Sequence, residues 1–166
     1  MSTAYLSIGS NLERERSISA CMKMVLDDPV STNVKFSSVY ANPAMGPAGQ
    51  PEFWNLAAAL QTHATPEALF QRARAWESAL GRERSHDKYA PRTIDIDLIL
   101  FGDQHVTGPE FELPHPQLMG AAYMLVPLLE IAPSLLHPIS GIPLADALEF
   151  SGCPLHTFRK VRLPSC

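Results

Sequence analysis

Three stretches of the chain have the apolar pattern of β-strands. Residues 4–8 are mostly apolar, residues 34–40 alternate imperfectly between apolar and polar side chains, and residues 53–62 form a long, largely apolar run. Alternation or a short apolar run bounded by turn residues is typical of strands in a sheet. The sequence therefore predicts three strands in the first 62 residues.

Two other stretches repeat their apolar residues at helical spacing. One follows Gly9-Ser10-Asn11, which we interpret as a turn and a helix cap, and its helix is expected to end near Pro29. The second begins at Thr65-Pro66 and ends at Gly81, because Thr caps helices, Pro suits the first helical position and Gly ends them. Gly9-Ser10-Asn11 matches neither GxxxxGK[ST] nor GxGxxG, so the turn interpretation is preferred to a phosphate loop.

A further strand, within residues 93–100, carries two acidic residues. Strict alternation predicts that Asp95 and Asp97 share one face of this strand. The opposite face would carry one apolar row, formed by Ile94, Ile96, Leu98 and Leu100. The two carboxylates could simply face solvent on an amphipathic strand, or they could converge on a metal ion.

The loop before this strand favours the metal. It contains a cluster of cationic side chains, namely Arg82, Arg84, Lys88 and Arg92. Cations beside paired carboxylates suit a polyphosphate that is bridged by metal. Glu77 and Arg74, near the end of the preceding helix, either form an ordinary surface pair or extend this charged region.

Other candidate residues lie in the loops and in the second half of the chain. Phe53 and Asn55 share one strand face, which would suit a flat heterocycle but is also common in a protein core. His115 lies between two prolines, which makes it a better candidate for ligand contact than most single histidines. His105-Val106 predicts a short return strand, a short helix is predicted to begin at Pro127, and residues 144–150 form a possible last helix.

Composition places these elements in one ordinary globular domain, residues 1–166. Hydrophobic residues make up 46% and charged residues 18% of the chain, and the net charge of -4 argues against general nucleic-acid binding. Three widely spaced cysteines indicate reduced thiols, and the longest apolar run is too short to span a bilayer. We therefore expect a cytoplasmic protein without a membrane partner. The irregular order of strands and helices predicts an α+β fold with helices on a mostly antiparallel sheet.

The stretch Pro91-Arg92-Thr93-Ile94-Asp95-Ile96-Asp97-Leu98-Ile99-Leu100-Phe101-Gly102 resembles the signature of the 6-hydroxymethyl-7,8-dihydropterin pyrophosphokinases of folate biosynthesis. The resemblance extends to residues 5–12, 42–55, 113–116 and 127–133. It implies a ferredoxin-like three-layer αβα sandwich, and transfer of pyrophosphate from ATP to the hydroxymethyl group of the dihydropterin with release of AMP. Two magnesium ions are part of the same expectation. Separately from the resemblance, we expect the protein to be a monomer.

The resemblance also implies roles for individual residues. Catalysis is expected of Arg82, Arg92 and Asp97, with Asp97 also assisting deprotonation of the hydroxymethyl group, and the two magnesium ions would be held by Asp95 and Asp97. ATP would be bound by Arg74, Glu77, Arg84, Tyr89, Arg92, Leu98 and His115. The pterin would be bound by Asn42, Pro43, Ala44, Met45, Phe53, Asn55 and Tyr123.

Some positions depart from the pattern of the family. Ala121 and Glu110 stand where many bacterial relatives carry Arg, Arg74 stands for the usual Gln, and Tyr89 for a common Trp. Two alternatives to the pyrophosphokinase remain at this point. One is a module that only binds a heterocycle, and the other is a two-metal hydrolase that uses the same aspartates.

Overall fold

A computed structural model of the protein describes residues 1–43, 48–83 and 91–163. Its main sheet has the strand order β5-β1-β4-β3-β8, with β2 also paired to β4. The strands of this sheet are β1 (Ser2–Ser10), β2 (Ser31–Phe36), β3 (Val39–Asn42), β4 (Phe53–Thr62), β5 (Asp95–Phe101) and β8 (Arg159–Val161). A separate two-stranded ladder is formed by β6 (Val106–Thr107) and β7 (Glu112–Leu113).

Helices cover both faces of the sheet. They are α1 (Arg14–Leu26), α2 (Pro66–Ala79), α3 (Ala122–Ile131) and α4 (Leu144–Phe150). One core packs Ile18 of α1 and Leu69 of α2 against one face, and the other packs Leu125 of α3 and Leu144 of α4 against the opposite face. The predicted α+β fold, an αβα sandwich on a mostly antiparallel sheet, is confirmed. Among the described residues, no helix is both long and apolar enough to cross a membrane.

The central pairing is that of β1 with both β4 and β5. The pairs β1 with β4, β1 with β5 and β2 with β4 are all antiparallel. The apolar runs that predicted β1 and β4 are buried on both faces, which explains why they read as continuous rather than alternating. Thr65 caps α2 by accepting a hydrogen bond from the N–H of Ala68, as predicted.

The prediction of one uninterrupted apolar row on β5 is wrong at its end. The register between β1 and β5 shifts after Tyr5, so that β5 contains a β-bulge. Leu98 packs in the core under α1 and α2, whereas both Ile99 and Leu100 pack in the core under α3 and α4. One extra residue in the strand therefore moves Leu100 to the face opposite the one that alternation predicts.

Three other predicted boundaries differ from the structure. Residues 34–40 do not form one strand, because the chain breaks at Ser37 and Ser38 between β2 and β3. Pro127 lies inside α3 rather than at its start, because α3 is mostly buried and tertiary packing outweighs the lost backbone hydrogen bond. The predicted return strand is β6, but it pairs with β7 and not with the main sheet.

The predicted turn and cap at Gly9-Ser10-Asn11 is also wrong. Both Gly9 and Ser10 belong to β1, and the N-cap of α1 is Glu13, whose φ is 45°. Asn11 does not cap the helix, because its side chain accepts a hydrogen bond from the backbone N–H of Arg92. The C-terminal strand β8, which pairs with β3, was not predicted.

Candidate active site

Three neighbouring strands bring the acidic residues and the amide of Asn55 to one face of the sheet. Gly9 on β1 is paired with Asp95 on β5 and with Asn55 on β4, and Ser7 is paired in the same way with Asp97. Directly opposite residues of antiparallel strands point to the same face. Since neighbouring strands lie almost 5 Å apart, the backbones at Asp95 and Asn55 are separated by about 10 Å.

Both oxygens of Asp95 are held by arginines. Arg82 Nη1 lies 2.5 Å from Asp95 Oδ1, and Arg92 Nη1 lies 2.6 Å from Asp95 Oδ2. All three side chains are largely buried. The counter-charge that the sequence places near the aspartates thus contacts Asp95 directly, and it comes from both ends of the loop between α2 and β5.

Glu77 organises the same cluster from α2. Its side chain is 2% exposed, and both of its oxygens accept hydrogen bonds of 2.8 Å from Arg74 Nη1. Arg82 also pairs with Glu77, and the backbone N–H of Ile96 on β5 donates to it at 2.8 Å. The alternative of an ordinary surface pair between Arg74 and Glu77 is therefore wrong, because this carboxylate ties α2 to the outer edge of β5.

Asp97 differs from Asp95 in its surroundings. Among the ion pairs of the described residues, its nearest cation is Arg74, whose Nη2 lies 3.9 Å from Asp97 Oδ1. Burial, followed by the charge of Asp95, raises the pKa of Asp97 to about 7, against the opposite effects of Arg74 and Arg82. The pair therefore consists of one carboxylate with an arginine on each oxygen and one whose pKa is raised to near neutrality.

A pocket of about 290 Å³ opens beside Asp97. Four of the predicted site residues line it, namely Arg74, Asp97, Leu98 and His115. The bulge in β5 helps to place the histidine, because the backbone N–H of His115 donates to the carbonyl of Ile99 at 3.0 Å. His115 Nδ1 accepts from the N–H of Gln117 at 3.2 Å, which leaves Nε2 as the donor of a neutral ring. Burial lowers the pKa of His115 and favours that neutral form.

The predicted pterin residues lie on β3, β4 and α3. Phe53 pairs with Asn42 at the base of the loop between β3 and β4, and Asn55 Nδ2 donates to Asn42 Oδ1 at 2.5 Å. Tyr123 lies in the first turn of α3 and donates to Gln117 Oε1 at 3.3 Å. Burial, then the charges of Asp97 and Asp95, raises the pKa of Tyr123 to about 12, so its ring remains neutral.

Two residues of this region, Gly9 and Asn11, were not predicted as site residues. A Cβ at Gly9 would lie 2.6 Å from Asn55 Oδ1, so only glycine leaves room for the amide. Both residues belong to the Gly9-Ser10-Asn11 segment that the sequence singled out and that we interpreted only as a turn. The segment was visible in the sequence, but the roles of Gly9 and Asn11 depend on how β1 pairs with β4 and β5. Local sequence does not specify that pairing.

Several predicted residues cannot be placed. Arg84, Tyr89, Ala44 and Met45 lie outside the described residues. Within the part of the chain that is described, no group of three or more His, Cys, Asp or Glu side chains is arranged to hold a metal ion. Of the departures from the family pattern, Glu110 accepts a hydrogen bond from Gln71, and Ala121 is buried at the start of α3.

Comparison with known proteins identifies the family of this chain. The sequence pattern of the 7,8-dihydro-6-hydroxymethylpterin-pyrophosphokinase (HPPK) family matches residues 5–133. The chain belongs to the HPPK family. The predicted pyrophosphokinase of folate biosynthesis is thereby confirmed, with ATP and a hydroxymethyldihydropterin as its small-molecule substrates.

Named relatives agree with the HPPK assignment. A 2-amino-4-hydroxy-6-hydroxymethyldihydropteridine pyrophosphokinase of Pseudomonas aeruginosa is 35% identical over 95% of this chain and 95% of its own length. A protein of the same name from Methylorubrum extorquens is 35% identical over 89% of this chain and 92% of its own length.

A solved structure supports the fold. The wild-type HPPK-DHPS of Plasmodium falciparum, crystallised with pteroate, superposes with a TM-score of 0.72 at 10% identity. The match covers 96% of this chain and 45% of the Plasmodium chain. At this identity the likeness concerns the fold, which agrees with the αβα sandwich described above.

Proposed function

We propose that this HPPK transfers pyrophosphate at the sheet face that carries Asp95, Asp97 and Asn55. The observation that supports this location is the row formed by Asp95, Gly9 and Asn55 across β5, β1 and β4. It puts a site for phosphate and metal about 10 Å from a site for a heterocycle, on one continuous surface. Two substrates that must exchange a group need to lie side by side in this way.

ATP occupies the pocket beside Asp97 in this proposal. Leu98 and the His115 ring line the pocket, and His115 Nε2–H is an available donor for a polar atom of the nucleotide. Arg74 supplies a positive charge at the Asp97 end of the pocket. Arg84 and Tyr89, which lie outside the described residues, are proposed to complete the ATP contacts.

Magnesium is held by Asp95 and Asp97. Two carboxylates fit Mg²⁺, which takes few protein oxygens and completes its octahedron with phosphate oxygens and water. When bound, Mg²⁺ neutralises charge on the phosphates, and we propose two ions. In the protein alone, Arg82 and Arg92 each donate to one oxygen of Asp95, and in this proposal they turn from Asp95 towards the phosphates when the ions bind.

The same two arginines then act in catalysis. Once released from Asp95, Arg82 and Arg92 pair with the phosphates and stabilise the charge that develops around the β-phosphorus. The pterin hydroxymethyl oxygen attacks this phosphorus, the bond between it and the oxygen of the α-phosphate breaks, and AMP leaves. In this proposal Asp97, which lies beside the ATP pocket, takes the hydroxyl proton.

The pterin lies against Phe53 on one side and Tyr123 on the other. The neutral Tyr123 ring and the half-buried Phe53 ring offer apolar faces to a flat heterocycle. Asn55 and Asn42 offer amide groups to its edge. Backbone groups of Pro43, and of Ala44 and Met45 outside the described residues, are proposed to add further contacts. The Asn55–Asn42 hydrogen bond fixes the orientation of the Asn55 amide before the substrate arrives.

One assay tests this function. The protein is incubated with ATP, Mg²⁺ and 6-hydroxymethyl-7,8-dihydropterin, and the products are separated by chromatography. AMP and the pterin pyrophosphate in equal amounts are expected, whereas ADP or free phosphate would contradict the proposal. The site assignment is tested in parallel: Asp97→Ala should abolish turnover and keep pterin affinity, and Phe53→Ala should weaken pterin binding and keep nucleotide affinity.

The setting of the enzyme is also a proposal. We propose one domain, residues 1–166, that works as a cytoplasmic monomer with its cysteines reduced. Cys21 is buried and Cys153 is half-buried, and neither is in a disulfide. Light scattering after size-exclusion chromatography should give a mass near 18.2 kDa, and a mass twice as large would contradict the monomer.

A further inference from the structure

The end of β1 holds the backbone of Arg92 from two sides. The backbone N–H of Arg92 donates to Asn11 Oδ1 at 2.7 Å. The carbonyl of Arg92 accepts from the N–H of Asn11 at 3.1 Å and from the N–H of Leu12 at 3.2 Å. Both polar groups of this one residue are thus bound by a segment about eighty positions away in sequence.

This contact continues the sheet beyond its last regular pair. The ladder between β1 and β5 ends at Gly9 and Asp95. Arg92 lies beyond that pair, and the described residues of the loop before Arg92 form no strand. Regular strand pairing therefore does not hold the Arg92 backbone. The side-chain oxygen of Asn11 takes the place of a backbone carbonyl as the acceptor for the Arg92 N–H. Arg92 is thereby fixed at the point where the loop enters β5.

The position of the Arg92 backbone decides where its guanidinium can reach. Arg92 Nη1 lies 2.6 Å from Asp95 Oδ2, three residues along the chain. A long flexible side chain loses about 2 kcal/mol of rotamer entropy when it is ordered, so a fixed backbone reduces what remains to be ordered. If the Arg92 peptide group could rotate, the guanidinium would spend less time near Asp95 and near the proposed position of the ATP phosphates.

Asn11 itself is suited to this task and not to helix capping. It is 2% exposed, and its Nδ2 has no hydrogen-bond partner within the described part of the chain. A buried donor without a partner is unfavourable by about 1–3 kcal/mol. The side chain is therefore retained for its oxygen, and that oxygen binds only the Arg92 peptide among the hydrogen bonds of the described residues.

We propose that Asn11 is a positioning residue for Arg92, which sets the backbone from which this arginine reaches Asp95 and the phosphates of ATP. Asn11 touches no substrate and acts only through Arg92. The inference rests on the catalytic role of Arg92 proposed above, and it makes the start of the chain part of the phosphate site.

A double-mutant cycle tests the inference. Asn11→Ala should lower kcat about tenfold, and it should leave the KM for the pterin within twofold of the wild-type value. In an Arg92→Ala background the same substitution should have no further effect on kcat. An equal loss in both backgrounds would overturn the proposal, because Asn11 would then act independently of Arg92.

Matched variants separate positioning from folding. Ser10→Ala is the control, because the buried Ser10 hydroxyl donates to the carbonyl of Leu12 and does not touch Arg92. It should keep the wild-type kcat. Asn11→Asp keeps the acceptor oxygen and removes the unpaired donor, and it should regain most of the kcat lost in Asn11→Ala. A kcat of Asn11→Asp no higher than that of Asn11→Ala, with both variants folded by circular dichroism, would overturn the proposal.

The single variants also distinguish failure of the positioning role of Asn11 from failure of the catalytic role of Arg92. If Arg92→Ala alone kept the wild-type kcat, the role of Arg92 would be wrong and the inference would fall with it. If Arg92→Ala lowered kcat while Asn11→Ala did not, only the positioning role of Asn11 would be wrong.

Discussion

The side-chain oxygen of Asn55 lies 2.6 Å from the place that a β-carbon at Gly9 would occupy. Real β-carbons do not approach another atom so closely, so a side chain at position 9 must displace the amide. Because Gly9 is also paired with Asp95, it forms the floor between the acidic residues and the proposed pterin site. The absence of a side chain at this position keeps both halves of the site open.

Gly9→Ala should therefore impair pterin binding. We expect the KM for the pterin to rise about tenfold or more, which corresponds to about 1.4 kcal/mol or more, because Asn55 must leave its hydrogen bond to Asn42. The KM for ATP should change less than twofold. Steady-state kinetics with each substrate varied in turn measures both values.

Gly120→Ala is the matched control for Gly9→Ala. A Cβ at Gly120 would meet no atom within 4 Å, so this variant should keep wild-type kinetics. An unchanged pterin KM in Gly9→Ala would mean that Asn55 is not part of the pterin site or that its amide moves without loss of binding.

Glu77→Gln should destabilise the protein and weaken ATP binding. Gln keeps an acceptor for the N–H of Ile96 but removes the charge that compensates Arg74 and Arg82. Breaking a buried ion pair in this way should lower the free energy of unfolding by about 3 kcal/mol, as measured by urea denaturation. The KM for ATP should rise, because Glu77 also holds Arg74, which lines the pocket proposed for ATP.

The exposed Glu67 in the first turn of α2 provides the comparison for Glu77. Glu67→Gln should change the free energy of unfolding by only about 0.5 kcal/mol. Similar losses in the two variants would show that the buried network around Glu77 contributes no special stability.

The raised pKa of Asp97 should make stability depend on pH. A carboxyl whose pKa is higher in the folded state, here about 7, favours folding fully below its unfolded pKa near 4. That contribution is lost as the pH rises through 7. In the absence of magnesium, Asp97→Asn removes the titration, so the variant should gain stability relative to the wild type by about 2–4 kcal/mol between pH 4 and pH 8.

Urea unfolding of both proteins at pH 4, 6 and 8, in buffer that contains a chelator, measures this difference. Adding Mg²⁺ should reduce the difference at pH 8, because the ion stabilises the ionised carboxylate of the wild type. A difference that stays constant with pH would mean that Asp97 titrates at its ordinary pKa.

Glu52 should tune the pterin site from the opposite face of the sheet. Its backbone carbonyl accepts from Arg14 Nη1 at 2.9 Å, and its carboxylate pairs with Arg159 Nη2 at 3.0 Å. These contacts fix the end of the loop directly before Phe53. Since partly exposed ion pairs contribute at most about 1 kcal/mol, Glu52→Ala should raise the KM for the pterin only about twofold to fivefold.

Arg16→Ala serves as the control for Glu52, because Arg16 forms an exposed ion pair with Glu13 at the start of α1. It should leave both KM values unchanged. A larger change in the KM for ATP than in that for the pterin would contradict the role of Glu52 at the loop.

The parts of the fold that local sequence predicts are those whose pattern coincides with their packing. β4 and α2 follow their apolar runs, and Thr65 caps α2 as its residue type indicates. Asp95 and Asp97 lie on one face because the bulge in β5 comes after them. The charged cluster around Asp95 was predictable for the same reason, since its arginines lie near the aspartates in sequence.

The rest depends on contacts between distant segments. The bulge at Ile99 requires the pairing with β1 and is accompanied by the hydrogen bond from His115, and neither is encoded in the alternation of β5. Pro127 inside α3 is tolerated because the helix is buried against the sheet. Gly9 and Asn11 gain their roles only when β1 lies between β4 and β5, which places this short segment between the two proposed substrates.

The strand β8 has a consequence for the behaviour of the folded protein in solution. Its residues pair with Val39, Tyr40 and Ala41, and Lys160 also lies 5.6 Å from the centre of the Tyr40 ring. Without β8, the outer N–H and C=O groups of β3 would be exposed as an unprotected sheet edge. Such edges recruit strands from other molecules, so a chain shortened before Arg159 should aggregate during expression even where its catalytic residues are intact.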